Sequence, residues 1–529
     1  MPISRRDLMR TGGYAVLVGA YAGLPRRARA VTSAPTTFDY YISTTGSNSN
    51  PGTLASPWAI TALNSPSLRA LYAGKSVGLI AGVYNIYSLV QAAGATGPAL
   101  CVQGGTAASP TYIASCNSSG AYAPRVAQIS GDSSGGLNGG NYPTSSAGLI
   151  GQGMTGATST QTVWGNVVLD GLYITRSYQF GITFWGLNNG TPPTYTGNVV
   201  QNCEIYDIAG WENGNMAGVN FFSQNGARAT NNLIHSVLPT SGNIAWWDCL
   251  GLGGQQNWNN VYEYNTIYNC NTCIYDKNTN TGGQTWRYNY LESLGTNPNA
   301  AIQDGAGGNA GQVTTVHHNI VVCTLGQNQG LWYGTDALRQ PNNASTVAYN
   351  NTFYMLASGC VGEVFISAAG NSVSPASAVT FYNNITMYAG GSIGYAGLVS
   401  LGPPGYVTSD YNCFYQSGAT SSTALLGMGN GSADSPALYS LTNWQGKFGL
   451  DAKSLVANPA FTSPGGAVNP AGYQLGASSP CLSAGRVGGT NNGAVCNMGA
   501  WDGTATQIGC SFASGASLIP LPPVIISVT

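Results

Sequence analysis

Charge is what this sequence has least of. Of 529 residues, 17 are Lys or Arg and 18 are Asp or Glu, 7% in all, against roughly 25% in a typical soluble domain. There are 3 His, and the formal net charge is −1. Scarce cations exclude a nucleic-acid partner, because that surface depends on clustered Lys and Arg. Low net charge with 11 Trp, 31 Tyr and 12 Phe excludes a disordered chain. Helix-rich folds take their solvent faces from Glu, Lys, Arg and Ala, so they are disfavoured as well. Long apolar runs are also lacking. Gly12 to Leu24 is shorter than the ~20 residues a bilayer span needs, and the stretch from Ser517 to Thr529 is broken by Pro520, Pro522 and Pro523. Gly (74 residues), Ser, Thr and Asn fill the place of charge. That composition points to a large, neutral-surfaced β protein.

Residues 1–30 read as an export leader. Ser4-Arg5-Arg6-Asp7-Leu8-Met9-Arg10 is similar to a bacterial twin-arginine signal; a weakly apolar run follows, and Ala28-Arg29-Ala30 supplies a small-x-small cleavage pattern. Six Arg and one Asp leave with it, so 11 cations and 17 anions remain, net −6. The expected location is periplasmic or extracellular, where 12 Cys can form disulfides. Cys101/Cys116 and Cys481/Cys496, each 15 residues apart, are plausible loop closures. Cys270-x-x-Cys273 lacks a second pair to complete a zinc site.

A short apolar segment opening on Asn recurs at Asn232, Asn265, Asn289, Asn319, Asn351, Asn384 and Asn412, with spacings of 33, 24, 30, 32, 33 and 28 residues. Looser members come earlier, at Val167-Val-Leu-Asp and Val199-Val-Gln-Asn. A period in this range marks stacked repeats. Strands of β-branched and aromatic residues fill each period. Three short strands with their turns occupy about 24 residues, one coil of a parallel β-helix, and the excess falls in turns. Coils stack ~4.8 Å apart, so an Asn repeated at one turn is placed to hydrogen-bond along the stack.

Tyr40-Tyr41-Ile42-Ser43-Thr44-Thr45-Gly46-Ser47-Asn48, Ser56-Pro57-Trp58, Gly74-Lys75-Ser76-Val77 and Ala81-Gly82-Val83-Tyr84 resemble the N-terminal region of secreted bacterial parallel β-helix enzymes. These form the pectate-lyase-like superfamily of polysaccharide lyases and glycoside hydrolases. Asn458-Pro459-Ala460-Phe461, Ser479-Pro480-Cys481 and Met498-Gly499-Ala500-Trp501-Asp502 resemble its closing segment. With the repeats, the resemblance covers nearly all of the chain after the leader. It implies an all-β fold: a right-handed parallel β-helix, a single-stranded solenoid of about 9–11 coils. The expected division is an N-terminal cap over 31–100, a solenoid body over 101–420 and a C-terminal capping segment over 421–529. The fold hosts many chemistries and does not choose among them.

The candidate site lies on the central coils. Aligning Ile274 with Ile302 puts Asp276 and Asp304 one coil apart, roughly 5 Å, near the carboxylate separation of a retaining glycosidase. Like charges that close resist joint ionisation, so one can act as acid and the other as base or nucleophile. Alternation also puts Asp276 on the side of Ile274, so both Asp can instead be turn caps, and paired carboxylates are also Ca²⁺ ligands. Asp336 or Asp248 are substitutes if the alignment slips. Lys277, the only Lys in the repeat body, is a candidate base for β-elimination, with Arg287 or Arg339 to neutralise a uronate. The resemblance implies a Lys or Arg base on the central coils; here Gln303-Asp304 stands where an Arg is expected on the next one. Tyr275, Gln303, Trp332 and Trp247 are the expected sugar contacts, from a Trp-rich stretch that also holds Trp211, Trp246, Trp258 and Trp286. His317-His318 is a weaker candidate.

From Thr160 to Ser400 there are five cations and eleven acids. That balance favours a neutral or weakly charged polysaccharide cleaved by a glycoside hydrolase with paired carboxylates. The alternatives are a lyase using Lys277, or a non-catalytic carbohydrate-binding solenoid. No cofactor is required; Ca²⁺ is an option. The expected partners are a poly- or oligosaccharide, with no nucleic acid and no membrane span, and the expected state is a monomer.

Overall fold

The computed structural model describes residues 33–512 apart from 94–96, 137–139, 145–147, 154–163, 187–194, 210–215, 239–248, 279–282, 294–300, 307–312, 325–337, 342–344, 357–363, 368–378, 390–397, 401–404, 406, 429–436, 466–467 and 490–493; of 277–278, 304–306, 338–341, 345, 364–367 and 398–400 it describes the backbone. The leader, Trp211, Trp246, Trp247, Asp248, Trp332 and Asp336 lie outside the described residues.

Each repeated Asn marks a tight corner. The residue before it (Asn231, Tyr264, Tyr288, His318, Asn350, Asn383, Tyr411) is left-handed, with φ between 50 and 58°. That conformation costs a non-Gly residue roughly 1–2 kcal/mol, and the buried Asn that follows offsets it. Asn319 is typical. Its Oδ1 accepts from the Asn289 backbone N–H and Nδ2, while its Nδ2 donates to Trp286 O, His317 O and Asn351 Oδ1. Rung on rung, the ladder runs from Asn232 to Asn412. Beyond Asn412 it ends on Asp451 and Ser454, which take its Nδ2 and N–H.

The corner separates two of three sheets. The first has 12 strands, Tyr40–Ile42 to Val407–Asp410; the second has 11, Gly82–Asn85 to Cys413–Gln416; the third has 12, Pro98–Cys101 to Ala437–Ser440. Pairing is parallel between coils until the last pair of the third sheet, which is antiparallel. The chain visits first, second and third sheet in turn, as a parallel β-helix requires. With one second-sheet strand per coil there are 11 coils among the described residues, and parallel pairing already begins at Tyr40, inside the region read as a cap.

Inward positions form one continuous apolar core, with aromatic stacks such as Phe184–Phe221–Tyr262–Trp286. Where the third sheet meets the second, Gly251 faces Ile267; a Cβ there would lie 2.3 Å from the Ile267 methyl, so only Gly lets the walls close. Trp444, on the helix Leu441–Phe448, plugs the C-terminal end. The chain after it covers the outer face of the second sheet, burying Tyr290, Ile320, Val322 and Tyr354 beneath Tyr473, Ala500 and Ile508.

The expected disulfides are absent: Cys101, Cys116, Cys481 and Cys496 are free thiols. Cys101 ends a third-sheet strand and Cys116 a first-sheet strand, on different walls of the solenoid. Cys481 is buried beside Ile385 and Met498, whereas Cys496 sits on a short hairpin facing Asn383. Equal sequence spacing therefore carried no pairing information.

Candidate functional site

The corner between the first and second sheets is tight, so insertions gather elsewhere. From Val167 onward the connections carrying the extra residues, among them 187–194, 239–248, 307–312 and 325–337, enter or leave the third sheet; the earlier exception is 117–126, between the first and second sheets. A groove for an extended ligand is best placed on that sheet.

Its register matches the alignment expected from sequence: Ile274 pairs with Ile302, Tyr275 with Gln303, Asp276 with Asp304, and Lys277 with Gly305. The pleat then separates these residues. Ile274 and Asp276 point inward, both 0% exposed, whereas Tyr275 is half-buried on the outside. The Asp276 carboxylate belongs to the interior. Its Oδ2 accepts from Asn257 Nδ2 at 3.0 Å, and the same Nδ2 donates to Phe221 O at 2.8 Å. Gly254, the rung before Asp276, makes this possible: a Cβ there would sit 2.1 Å from Asn257 Nδ2. Asn257 continues an amide ladder through Gln224 and Asn198 to Gln152 at the corner between third and first sheets. Asp276 also faces Tyr262, whose phenol burial and that carboxylate push far above its ordinary value. The side chain of Asp304 lies outside the described residues.

At Asp276 one carboxylate oxygen accepts from an Asn257 amide N–H. Among the described residues no group of three or more His, Cys, Asp and Glu has metal-binding geometry.

Two outward columns run along the third sheet. One reads Thr183, Asn220, Gly253, Tyr275, Gln303, Arg339; the other reads Trp185, Phe222, Gln255, Lys277, Gly305. Asn220 Nδ2 donates to Thr183 Oγ1 at 3.1 Å. Gln303 is 8% exposed, and its Oε1 is buried without a hydrogen-bond partner. The two columns hold the Lys277 and Arg339 positions and, among these described positions, no carboxylate.

Arg287 is not part of this face. It lies on the first sheet, where its Nε and Nη2 hold Glu263 at 2.7 and 2.6 Å. Arg228 binds the other oxygen of the same buried carboxylate, and burial with the nearby Arg287 charge lowers Arg228 to about 10. Trp258 and Trp286 are also not sugar contacts; both are buried, Trp286 in the core stack. Of the eleven acids counted from sequence, six are placed away from this face; Glu212, Asp248, Asp336 and Glu363 lie outside the described residues, and of Asp304 only the backbone is described. Asp170, Glu204, Asp207, Glu263 and Glu292 lie on the first two sheets, and Asp276 is interior. His317 and His318 sit on the first sheet and its corner, their Nδ1 atoms 2.7 Å apart, with His318 Nε2 3.0 Å from Asp502.

Comparison with known proteins adds the fold. No protein-family profile matches, and no curated protein matches. Among solved structures the chain is similar to pectate lyase Pel9A, at 15% identity over 88% of this chain and 96% of that one, with a TM-score of 0.51. A rhamnogalacturonan lyase aligns at 13% identity over 83% and 94%, TM-score 0.40. XylC in complex with xylose aligns at 10% over 80% and 87%, TM-score 0.41. The chain has a parallel β-helix fold. At these identities the likeness is one of fold. No helix among the described residues is long and apolar enough to cross a membrane.

Proposed function

We propose that the protein is a polysaccharide lyase that cleaves a polyuronate by β-elimination, with the Lys277 amine as base and Arg339 at the uronate carboxylate. The observation that carries this reading is the charge of the third sheet's outer columns: two cations and no carboxylate among the described positions, with Asp276 turned inward. An uncharged groove would suit a neutral glycan; this one suits an anionic polymer. The base takes the proton at C5, the electron pair forms the C4–C5 double bond, and the C4–oxygen bond breaks, its oxygen ending protonated. Lys ordinarily titrates near 10.4, so a neutral amine requires a neighbouring cation or a dry site. Arg339 is two rungs on in the adjacent column, roughly 10 Å along the axis. The likeness to a pectate lyase structure accords with this choice.

Hydrolysis by the Asp276–Asp304 pair is the less favoured reading with Asp276 interior, Asp336 and Asp248 remaining its other candidate acids, and a purely binding solenoid leaves the Lys–Arg pair without a use. We extend the proposal to an exported monomer, since a polymer substrate lies outside the cell, and retain Ca²⁺ as an assay variable. The test incubates the protein with polyuronates and with neutral glycans, in Ca²⁺ and in EDTA, reading ultraviolet absorbance and reducing ends together. Absorbing unsaturated ends are expected from a polyuronate, with a loss of about 100-fold or more in Lys277→Ala. Reducing ends without absorbance would overturn elimination; silence on every glycan would favour the binding solenoid.

A further inference from the structure

The outer column that contains Lys277 begins with two aromatic rings that the proposed chemistry does not use. Trp185 and Phe222 are register partners on successive coils, half-buried, with ring centroids 4.8 Å apart and planes 14° from parallel. Aromatic faces touch at roughly 3.5–4.0 Å, less than the rung spacing. The rings must therefore slant across the rungs like shingles, and each remains partly accessible. They are also held in place. Phe180 packs on Trp185 at 6.2 Å and 60°, over a base of buried Ala217 and Leu250. The polar pair Asn220 and Thr183 lies in the adjacent column on the same coils. That pair is itself buried, so it braces the ledge from the side, and the apolar ring faces match the apolar C–H face of a sugar.

We infer that Trp185 and Phe222 form a remote sugar-binding ledge that seats an uncleaved stretch of the polyuronate, aligning the polymer along the solenoid axis. This rests on the proposed lyase reading. Phe222 is two coils and Trp185 three coils from Lys277 in one column, roughly 10 and 14 Å at ~4.8 Å per coil. A ligand that reaches both the ledge and Lys277 must span several sugar units. The polyanion class comes from the lyase reading, whose two cations, Lys277 and Arg339, stand at the far end of these columns, while the positions between are uncharged. The ledge thus makes the enzyme prefer long substrates and cut within them.

The experiment uses the full chain carrying Lys277→Ala, titrated with an oligogalacturonate trimer and hexamer while binding is followed by calorimetry and Trp fluorescence. Trp185→Ala is expected to weaken hexamer binding about tenfold and to leave the trimer unchanged, whereas Trp185→Phe preserves the ledge and most of the affinity. With Lys277 intact, Trp185→Ala should raise KM on polymer and leave kcat within about twofold. Hexamer affinity unchanged from that of the Lys277→Ala parent, both with Trp185→Ala added and with Trp185→Ala and Phe222→Ala added together, overturns the ledge even where unsaturated products form. Trp185-dependent binding without unsaturated products upholds the ledge and overturns the elimination. Binding of neither oligomer overturns the assignment of a polyuronate.

Discussion

Asp276 shows how a one-residue step in a strand decides chemistry. Sequence placed it beside Lys277 with a partner acid one coil on, and the register is the one the alignment predicts. What differs is the face: Asp276 shares the interior with Ile274, where Asn257 holds it. Alternation pointed the same way, yet two acids at equivalent rungs are also what a hydrolase needs, and charge alone did not separate the readings. An Asn in its place keeps an oxygen that accepts from Asn257, so Asp276→Asn should fold and retain lyase activity within about tenfold. Asp276→Ala should cost about 1–3 kcal/mol, because it leaves the Asn257 amide buried with one partner fewer; urea unfolding measures this. Complete loss of activity in a stably folded Asp276→Asn would return Asp276 to the reaction. The aromatics have the opposite history. The cluster of Trp in the central coils suggested sugar contacts, but Trp258 and Trp286 are buried. Trp185 escaped notice because it stands alone in sequence, and its partner is a Phe one coil later.

At the scale of the coil, the sequence was most informative. An Asn that recurs at variable spacing but constant local context identifies a corner, and the seven positions read from sequence are the rungs observed. The repeat was legible because each rung needs the same thing, a side chain that accepts from one coil and donates to the next. The third sheet's outer face was less legible, since nothing there repeats: each outward position is free to vary with ligand. Replacing a middle rung tests the ladder. Asn319→Ala removes one acceptor from Asn289 and three donations, to Trp286 O, His317 O and Asn351 Oδ1. Stranding buried groups costs about 1–3 kcal/mol each, and partial relaxation leaves an expected loss of roughly 2–4 kcal/mol. A shift in the urea midpoint worth under about 0.5 kcal/mol would show that the corner holds without it.

For the whole molecule, the C-terminal segment does more than close one end. Sequence read 421–529 as a cap, and the helix with Trp444 does plug the terminal coil. The chain then returns along the corner between first and second sheets. Gly499 N–H donates to Asn383 O, Gly509 N–H to Tyr288 O, and Ser511 N–H to Asn231 Oδ1, so one strap ties coils far apart in the stack. No local sequence pattern announces such a path, because its contacts are backbone groups meeting turn residues. One pin runs through side chains: Asp502 meets His318, which meets His317. Arg287, Tyr288 and Tyr349 pack against the same pair. Burial, with the neighbouring His318 and Arg287, holds His317 well below its ordinary titration. Burial raises Asp502 too, but the hydrogen bond and charge of His318 outweigh it and leave the carboxyl well below the usual range. Both shifts have the same sign. The unfolded chain binds protons that the native fold refuses, so the native state is most stable above the ordinary His value near 6.5 and weakens as pH falls below it, the Asp502 charge partly opposing this at His317. The Asp502 contribution is lost only at lower pH, beneath about 3.9. Hydrogen exchange at the Gly499 and Gly509 amides, corrected for intrinsic rate, should therefore accelerate between pH 7 and pH 5. His317→Asn should flatten that dependence, because it removes the buried ring whose protonation opposes docking, while unchanged exchange in the parent protein across this range would show that the strap is held by its backbone bonds alone.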